Sequence, residues 1–463
     1  MSEIKRNGHG AMDMTQGSPT RLIVLFSLPL LAGNVLQQLY NMVDSVVVGN
    51  YVGSSALTAV GAGFSIMFLI SSLFLGFSMG ATIMIAQYVG AGDQGAVGRT
   101  VDTIYSALLV IIVPLTLLGV LASGPLLTLI RVPQEAYEQA RTYCMVVLGG
   151  IVGTLGYNMN SGIMRGLGDS RTPLIFLFIA CVINIVLDLV FVLVFSWGVF
   201  GVAIATVLSQ VVSAVLIMVR LMLTRESYRV EIRKIRFDRG ILRNVIRIGL
   251  PAGLQSVLYS VSNLVVQASI NSFGTDAIAS WAAIGKIDGF IWMVMSAFGI
   301  AITTFVGQNF GAQKYKRVRK SVRTCLLMAL GTTVLMSTLF VFGMQTMLRL
   351  FTNDPAVLEL GQVMTHYMCP FYFTYICIEV LSGAIRGTGV SLAPTIITCM
   401  GVCVLRVIWI MVLVPLRPEL STVLISYPLS WTLTSVIFMG YYLHGGWMRK
   451  RIMQLGLAPE NEN

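Results

Sequence analysis

Charge is scarce in this chain. Only 11% of its 463 residues are charged, and acids are the rarer sign, with 20 Asp and Glu against 31 Lys and Arg. A chain that is 56% hydrophobic, with a mean hydropathy of +0.81, cannot furnish the polar surface of a soluble domain. Soluble folds are excluded and a polytopic membrane protein is implied. Cysteine and histidine are few and scattered. The seven Cys lie singly in apolar stretches, with Cys399 and Cys403 one helical turn apart, and His9, His366 and His444 are far from one another. Neither a disulfide framework nor a Cys/His metal cluster emerges from that pattern, and none is expected. The opening "MSEIKRNGHGAMDMTQGSPT" lacks an apolar core, so it fits a secretory signal peptide poorly and reads as a disordered cytoplasmic tail. No nucleophile–base pair or nucleotide loop appears, so no enzyme is expected. No selectivity-filter-like repeat favours a channel either.

What is present in abundance is long apolar runs. About 20 such residues cross a bilayer as a helix. The pattern predicts twelve spans, near 21–48, 55–86, 98–124, 135–163, 172–195, 199–222, 243–271, 276–306, 320–350, 356–384, 392–415 and 419–443. Basic residues gather in the connections that follow even-numbered spans. These carry Arg225, Arg229, Arg233, Lys234, Arg236 and Arg239 after the sixth, Lys314, Lys316, Arg317 and Arg319 after the eighth, and Arg449, Lys450 and Arg451 at the end. Lys5, Arg6 and Arg21 share that face, whereas "NYVGSS" after the first span has no Lys or Arg. The positive-inside rule then predicts a plasma (inner) membrane protein with both termini cytoplasmic. It also accounts for the net charge of +11 without a nucleic-acid partner.

One phrase is written twice. "SGIMRGLGDSRTP" (161–173) and "SGAIRGTGVSLAP" (382–394) agree at seven of thirteen positions, 221 residues apart. The flanks are apolar spans, so the motif reads as a helix exit and not as a phosphate loop. Gly ends each helix, Arg165 and Arg386 snorkel, and Pro173 and Pro394 open the next helix. Pro29/Pro251, Asn41/Asn263, Gln87/Gln308 and Gly90/Gly311 extend the match at nearly the same offset. The chain therefore reads as an all-α membrane protein of two pseudo-symmetric six-helix bundles. The expected organisation is a tail over 1–20, an N-lobe over 21–222, a basic linker over 223–242, a C-lobe over 243–443 and a second tail over 444–463. Parallel repeats of this kind commonly hold a substrate between the halves.

Ionisable residues within spans cost at least about 2.5–3.5 kcal/mol each, so each is a functional candidate. Asp44 lies about 34 Å and Asp188 about 26 Å along their helices from the basic face, which puts both in the outer half. Asn184 is one turn from Asp188, and Thr206 returns to a similar depth. Two carboxylates, an amide and a hydroxyl offer hard oxygens that suit Na⁺, and paired carboxylates also suit H⁺. The alternative, less favoured, is a hydrogen-bonded polar plug between helices. At the repeat offsets, 222 in the first span and 221 in the fifth, Val266, Leu405 and Trp409 stand opposite Asp44, Asn184 and Asp188. The second half offers Lys286, Asp288, Glu379 and Arg406 instead. Asp288 and Glu379 read as contacts for a cationic substrate, or else as members of an ion-pair network with Lys286 and Arg406. Gln37, Tyr40 and Asn41 share the polar face of Asp44 and line the expected cavity, to which 25 Met, 22 Phe and 16 Tyr add pliable and aromatic surface.

The Pro29…Asn41-x-x-Asp44…Gly49…Gly53 stretch, "RGLGDSRTP" and "VGQNFGA" resemble multidrug and toxic compound extrusion (MATE) transporters, over about residues 20–445. The resemblance implies export of organic cations and drugs in exchange for H⁺ or Na⁺, with no other cofactor. It also implies a coupling site, in one branch of the family, that falls on Asp44, Asn184, Asp188 and Thr206. An acidic site that some members carry in the seventh span is missing from "LQSVLYSVSNL". A monomer surrounded by membrane lipid, with no obligate protein partner, is expected. The rival reading is a flippase for lipid-linked oligosaccharide or peptidoglycan precursors, which usually has further spans and a cationic cavity.

Overall fold

The computed structural model describes residues 11–226, 228–231, 236–444 and 446–456. Lys5, Arg6, Arg233 and Lys234 of the basic face, His9, and the end of the C-terminal tail lie outside the described residues. Sixteen helices follow in order. They are α1 (Pro19–Tyr51), α2 (Ser54–Ala91), α3 (Gln94–Leu129), α4 (Gln134–Gly149), α5 (Ile151–Leu167), α6 (Arg171–Leu189), α7 (Gly198–Leu223) and α8 (Arg239–Asn271). Then come α9 (Thr275–Gly311), α10 (Tyr315–Leu348), α11 (Pro355–Met368), α12 (Tyr372–Gly387), α13 (Leu392–Thr398), α14 (Leu405–Leu416), α15 (Leu420–His444) and α16 (Trp447–Gln454). Ten spans pass on length and apolar composition, and the pair α4–α5, bent by 49°, makes eleven. The remaining one, α8, has the length at 33 residues, but its Ser, Gln and Asn dilute its hydropathy. Twelve predicted spans thus correspond to twelve helical passes, several of them broken.

The breaks have local causes. Gly149 and Gly150 meet at the α4–α5 bend, where no side chain stiffens the backbone. Cys369–Phe371, with Pro370, forms one 3₁₀ turn between α11 and α12. Single π turns follow α6 (Val190–Val194) and join α13 to α14 (Cys399–Val404). Each π turn inserts a residue into the helical register.

Two compact units result. One comprises Leu28–Gly253 with residues 11–13, and the other Met14–Ser27 with Leu254–Asn463. The divisions fall inside α1 and α8, within two residues of Pro29 and Pro251, where a missing backbone N–H weakens helical continuity. In the second unit the segment before α1 is held in place and is not a free tail. Met14 is fully buried, its N–H donates to Gln308 Oε1 at 3.1 Å, and its carbonyl accepts from Asn309 Nδ2 at 3.0 Å and Arg317 Nη2 at 3.0 Å. A backbone stripped of water finds its partners in these side chains.

The duplicated phrase is a crossing of helices as well as an exit. In the first unit, a Cβ on Gly162 would stand 2.3 Å from Ser78 Oγ and one on Gly166 2.8 Å from the Thr82 carbonyl, so α5 can lie on α2 only with Gly there. In the second, a Cβ on Gly383 would stand 2.8 Å from the Gly299 carbonyl and one on Gly387 2.7 Å from that of Thr303. Thr82 Oγ1 donates to the Gly162 carbonyl at 2.8 Å, and Thr303 Oγ1 to that of Gly383 at 3.1 Å. Small residues and hydroxyls of this kind replace the hydrophobic effect that lipid withholds. Gly168 (φ 93°) and Gly389 (φ 87°) then supply the left-handed exits.

Candidate functional site

In the first unit, three helices bring polar side chains to one point. Tyr40 and Asp44 stand one turn apart on α1, Asn184 and Asp188 one turn apart on α6, and Thr206 and Ser209 lie on α7. All but Thr206 are buried, with Asn184 and Asp188 at 0% exposure and Asp44 at 6%. Asn184 bridges the carboxylates. In the orientation that satisfies both, its amide nitrogen donates to Asp44 Oδ1 at 2.9 Å and to Asp188 Oδ2 at 3.3 Å. Asp44 also faces Asp188 and Thr206 directly, and the Tyr40 hydroxyl is turned toward Thr206 and Ser209.

This arrangement leaves polar oxygens without a partner. Asp188 Oδ1, Thr206 Oγ1 and the Tyr40 hydroxyl are buried without a hydrogen-bond partner. A polar plug built for stability would satisfy its members, since an orphaned buried oxygen costs about 1–3 kcal/mol. Two carboxylates that share one amide group and face the Thr206 hydroxyl still hold more acceptors than donors, a surplus that a cation would complete. Tyr40, read from the sequence as cavity-lining, belongs to this cluster and packs against Leu177 and Cys181. Its i, i+4 relation to Asp44 was the available signal. Gln37 and Asn41 stay half-buried on α1.

The second unit uses its polar residues differently. Asp288 on α9 is 5% exposed and lies against Tyr372, inside an aromatic cluster. Trp292 meets the Tyr375 ring at 4.7 Å and that of Trp431 at 5.9 Å, and Tyr427 meets Trp431 at 5.3 Å. Arg406, 2% exposed, stacks its guanidinium 4.0 Å over the Tyr427 ring and donates to Ser430 Oγ at 3.2 Å. Lys286 is exposed, with Nζ 5.4 Å over the Phe351 ring. Among the described residues, neither Lys286 nor Arg406 ion-pairs with Asp288 or Glu379, because each is engaged by a ring instead. Glu379 faces Arg386, the arginine of the duplicated phrase, and Arg386 Nη2 donates to Gln255 Oε1 at 2.5 Å. Arg386 is thus held inside the unit and does not snorkel. Sequence reasoning missed this partner because Gln255 lies 131 positions away.

The 221-residue offset between the halves also slips here. The π turn at Cys399–Val404 adds a residue, so the buried face of α6 (Asn184, Asp188) corresponds to Arg406 and Ile410, which are buried, and not to Leu405 and Trp409, which are half-exposed. The π turn at Val190–Val194 restores the register beyond it.

Comparison with known proteins follows the same two halves. The family model named MatE matches residues 29–190 and again 251–412. The probable multidrug resistance protein YpnP of Bacillus subtilis is 29% identical over 399 residues, covering 86% of this chain and 88% of that protein. YoeA of the same organism, another probable multidrug resistance protein, is 27% identical over 444 residues, or 94% and 96% of the two chains. A solved structure described as the outward-facing conformation of a multidrug resistance MATE family transporter of the MOP superfamily has the same fold. Its TM-score is 0.86 at 24% identity, covering 98% of this chain and 100% of that one.

Proposed function

The chain belongs to the MatE family of membrane transporters, and from that premise we propose that it is a secondary antiporter that expels organic cations and drugs against inward H⁺ or Na⁺. The observation that supports this reading is the acceptor surplus at Asp44, Asn184, Asp188 and Thr206, three of whose surrounding oxygens lack a partner. An incoming cation neutralises the paired carboxylates. Na⁺ would draw on Asp44, Asp188 and Thr206, with the Asn184 amide turned over to present its carbonyl, and H⁺ would convert one carboxylate into a donor for the other.

Either event changes what α1 gains by packing against α6 and α7, because Asp44 and Tyr40 ride on α1. A ligand shifts an equilibrium only by its differential affinity for the two states. Binding that favours one packing of α1 would alter the cavity beside Gln37 and Asn41 and couple cation entry to substrate exit. Glu379 and Asp288 would meet the substrate's positive charge. We place both termini in the cytoplasm and the protein, as a monomer, in the inner membrane. A precursor flippase is not favoured, since that reading needs a cationic cavity and further spans.

The test is efflux of a fluorescent organic cation from inverted vesicles, with the Na⁺ and pH gradients imposed separately. One gradient should drive uphill transport on its own. Transport that responds to neither gradient would defeat the antiport reading.

A further inference from the structure

The second unit carries a groove that its twin in the first unit has filled. It forms a cavity of about 510 Å³ at the basic ends of α10 and α15, beneath the short helix α16. Val322, Leu326, Met439 and Tyr442 give it an apolar floor, and Arg319, Arg323 and Arg449 rim it. At the 221-residue offset the floor corresponds to Val101, Tyr105, Met218 and Leu221 of the first unit. There, Val230 of the linker after α7 is 2% exposed and plugs the space, with Tyr228 packed beside it.

The rims differ in sign. Arg319 and Arg323 stand where the first unit has Gly98 and Asp102, and Asp102 faces Arg236 of the covering linker. The first unit therefore closes its groove with an apolar plug and an acid–base match from its own chain. In the second unit α16 closes the far side, through Trp447 Nε1 donating to the Tyr442 carbonyl at 3.1 Å and Arg451 Nε to that of Thr388 at 3.1 Å. It brings Arg449 to a rim that is already basic, and α10, α15 and α16 contain no Asp or Glu. What completes this site must be negative at the rim and apolar below it.

We propose that the groove binds an anionic phospholipid, with its phosphate between Arg319, Arg323 and Arg449 and an acyl chain along Leu326 and Met439. Arginine forks suit phosphate oxygens, and Trp447 and Tyr442 are the residue types that settle at headgroup depth. The assignment to the cytoplasmic leaflet rests on the orientation proposed above, whereas lipid binding can be measured without any transport.

Native mass spectrometry of the purified full chain should show retained phosphatidylglycerol in preference to phosphatidylcholine of the same acyl chains. Each basic side chain at an anionic surface contributes roughly a fivefold gain, so R319Q/R323Q should weaken retention by about 25-fold. Met439→Trp, which fills the floor and keeps the arginines, should also weaken it, and this covers the case of a poorly folded arginine variant. Equal retention of the two lipids would overturn the proposal. So would parental binding by both R319Q/R323Q and Met439→Trp, or displacement of the lipid by inorganic phosphate. Stronger binding after removal of residues 457–463 would assign the groove to the chain's own acidic tail instead.

Discussion

The two halves agree where helices cross and disagree where charge is buried. Gly162 and Gly166 lie on Ser78 and Thr82 in one unit as Gly383 and Gly387 lie on Gly299 and Thr303 in the other, down to the threonine hydroxyl bonded to a glycine carbonyl. At the centre of the fifth and eleventh spans the chemistry inverts. The first unit presents Asn184 and Asp188, with Asp188 Oδ1 unpartnered, while the second presents Arg406, a permanent cation stacked on Tyr427 and donating to Ser430, with its Nε unpartnered. Tyr427 and Ser430 are the counterparts of Thr206 and Ser209 at the 221-residue offset. Where one unit buries a pair of carboxylates, its twin buries a cation. Backbone packing tolerates little variation because a single methyl would collide with backbone. Side-chain chemistry in the interior can differ freely provided each charge finds a partner.

The largest expected effect breaks that comparison at the proposed coupling site. Asp44→Asn and Asp188→Asn remove a buried charge and should leave folding and insertion intact, yet uphill efflux should vanish. A parental rate at normal protein levels, under the same ion gradients, would end the view that coupling resides in the first unit.

A second prediction tests the shared scaffold. Gly166→Ala and Gly387→Ala each force a Cβ within 2.8 Å or less of a backbone carbonyl, and overpacking of this kind costs about 1–3 kcal/mol. Thermal unfolding of the purified variants should show similar losses in both. A loss confined to one would mean that the two crossings are not equivalent.

The smallest effects sharpen the contrast within the second unit. Arg406→Met forfeits a desolvated cation–π contact worth about 2 kcal/mol, whereas the exposed Lys286→Met should stay within about 0.5 kcal/mol. Both should still pump substrate uphill. Loss of coupling in Arg406→Met, matching that of Asp188→Asn, would make the fixed cation part of the transport cycle.

The sequence by itself determined the class, the pass count, the duplication and the pairing of Asn184 with Asp188. Each of these follows from composition or from spacing along one helix, and helical rise converts both into geometry without a neighbour. The aromatic seat of Arg406 and the partner of Arg386 came only from the tertiary structure, since Tyr427 and Gln255 are remote in sequence and nothing local selects them. The structure also decided which residues truly correspond between halves. A π turn leaves little trace in composition, yet one inserted residue turns every later side chain by about 100°, and so brought Arg406 to the buried face in place of Leu405.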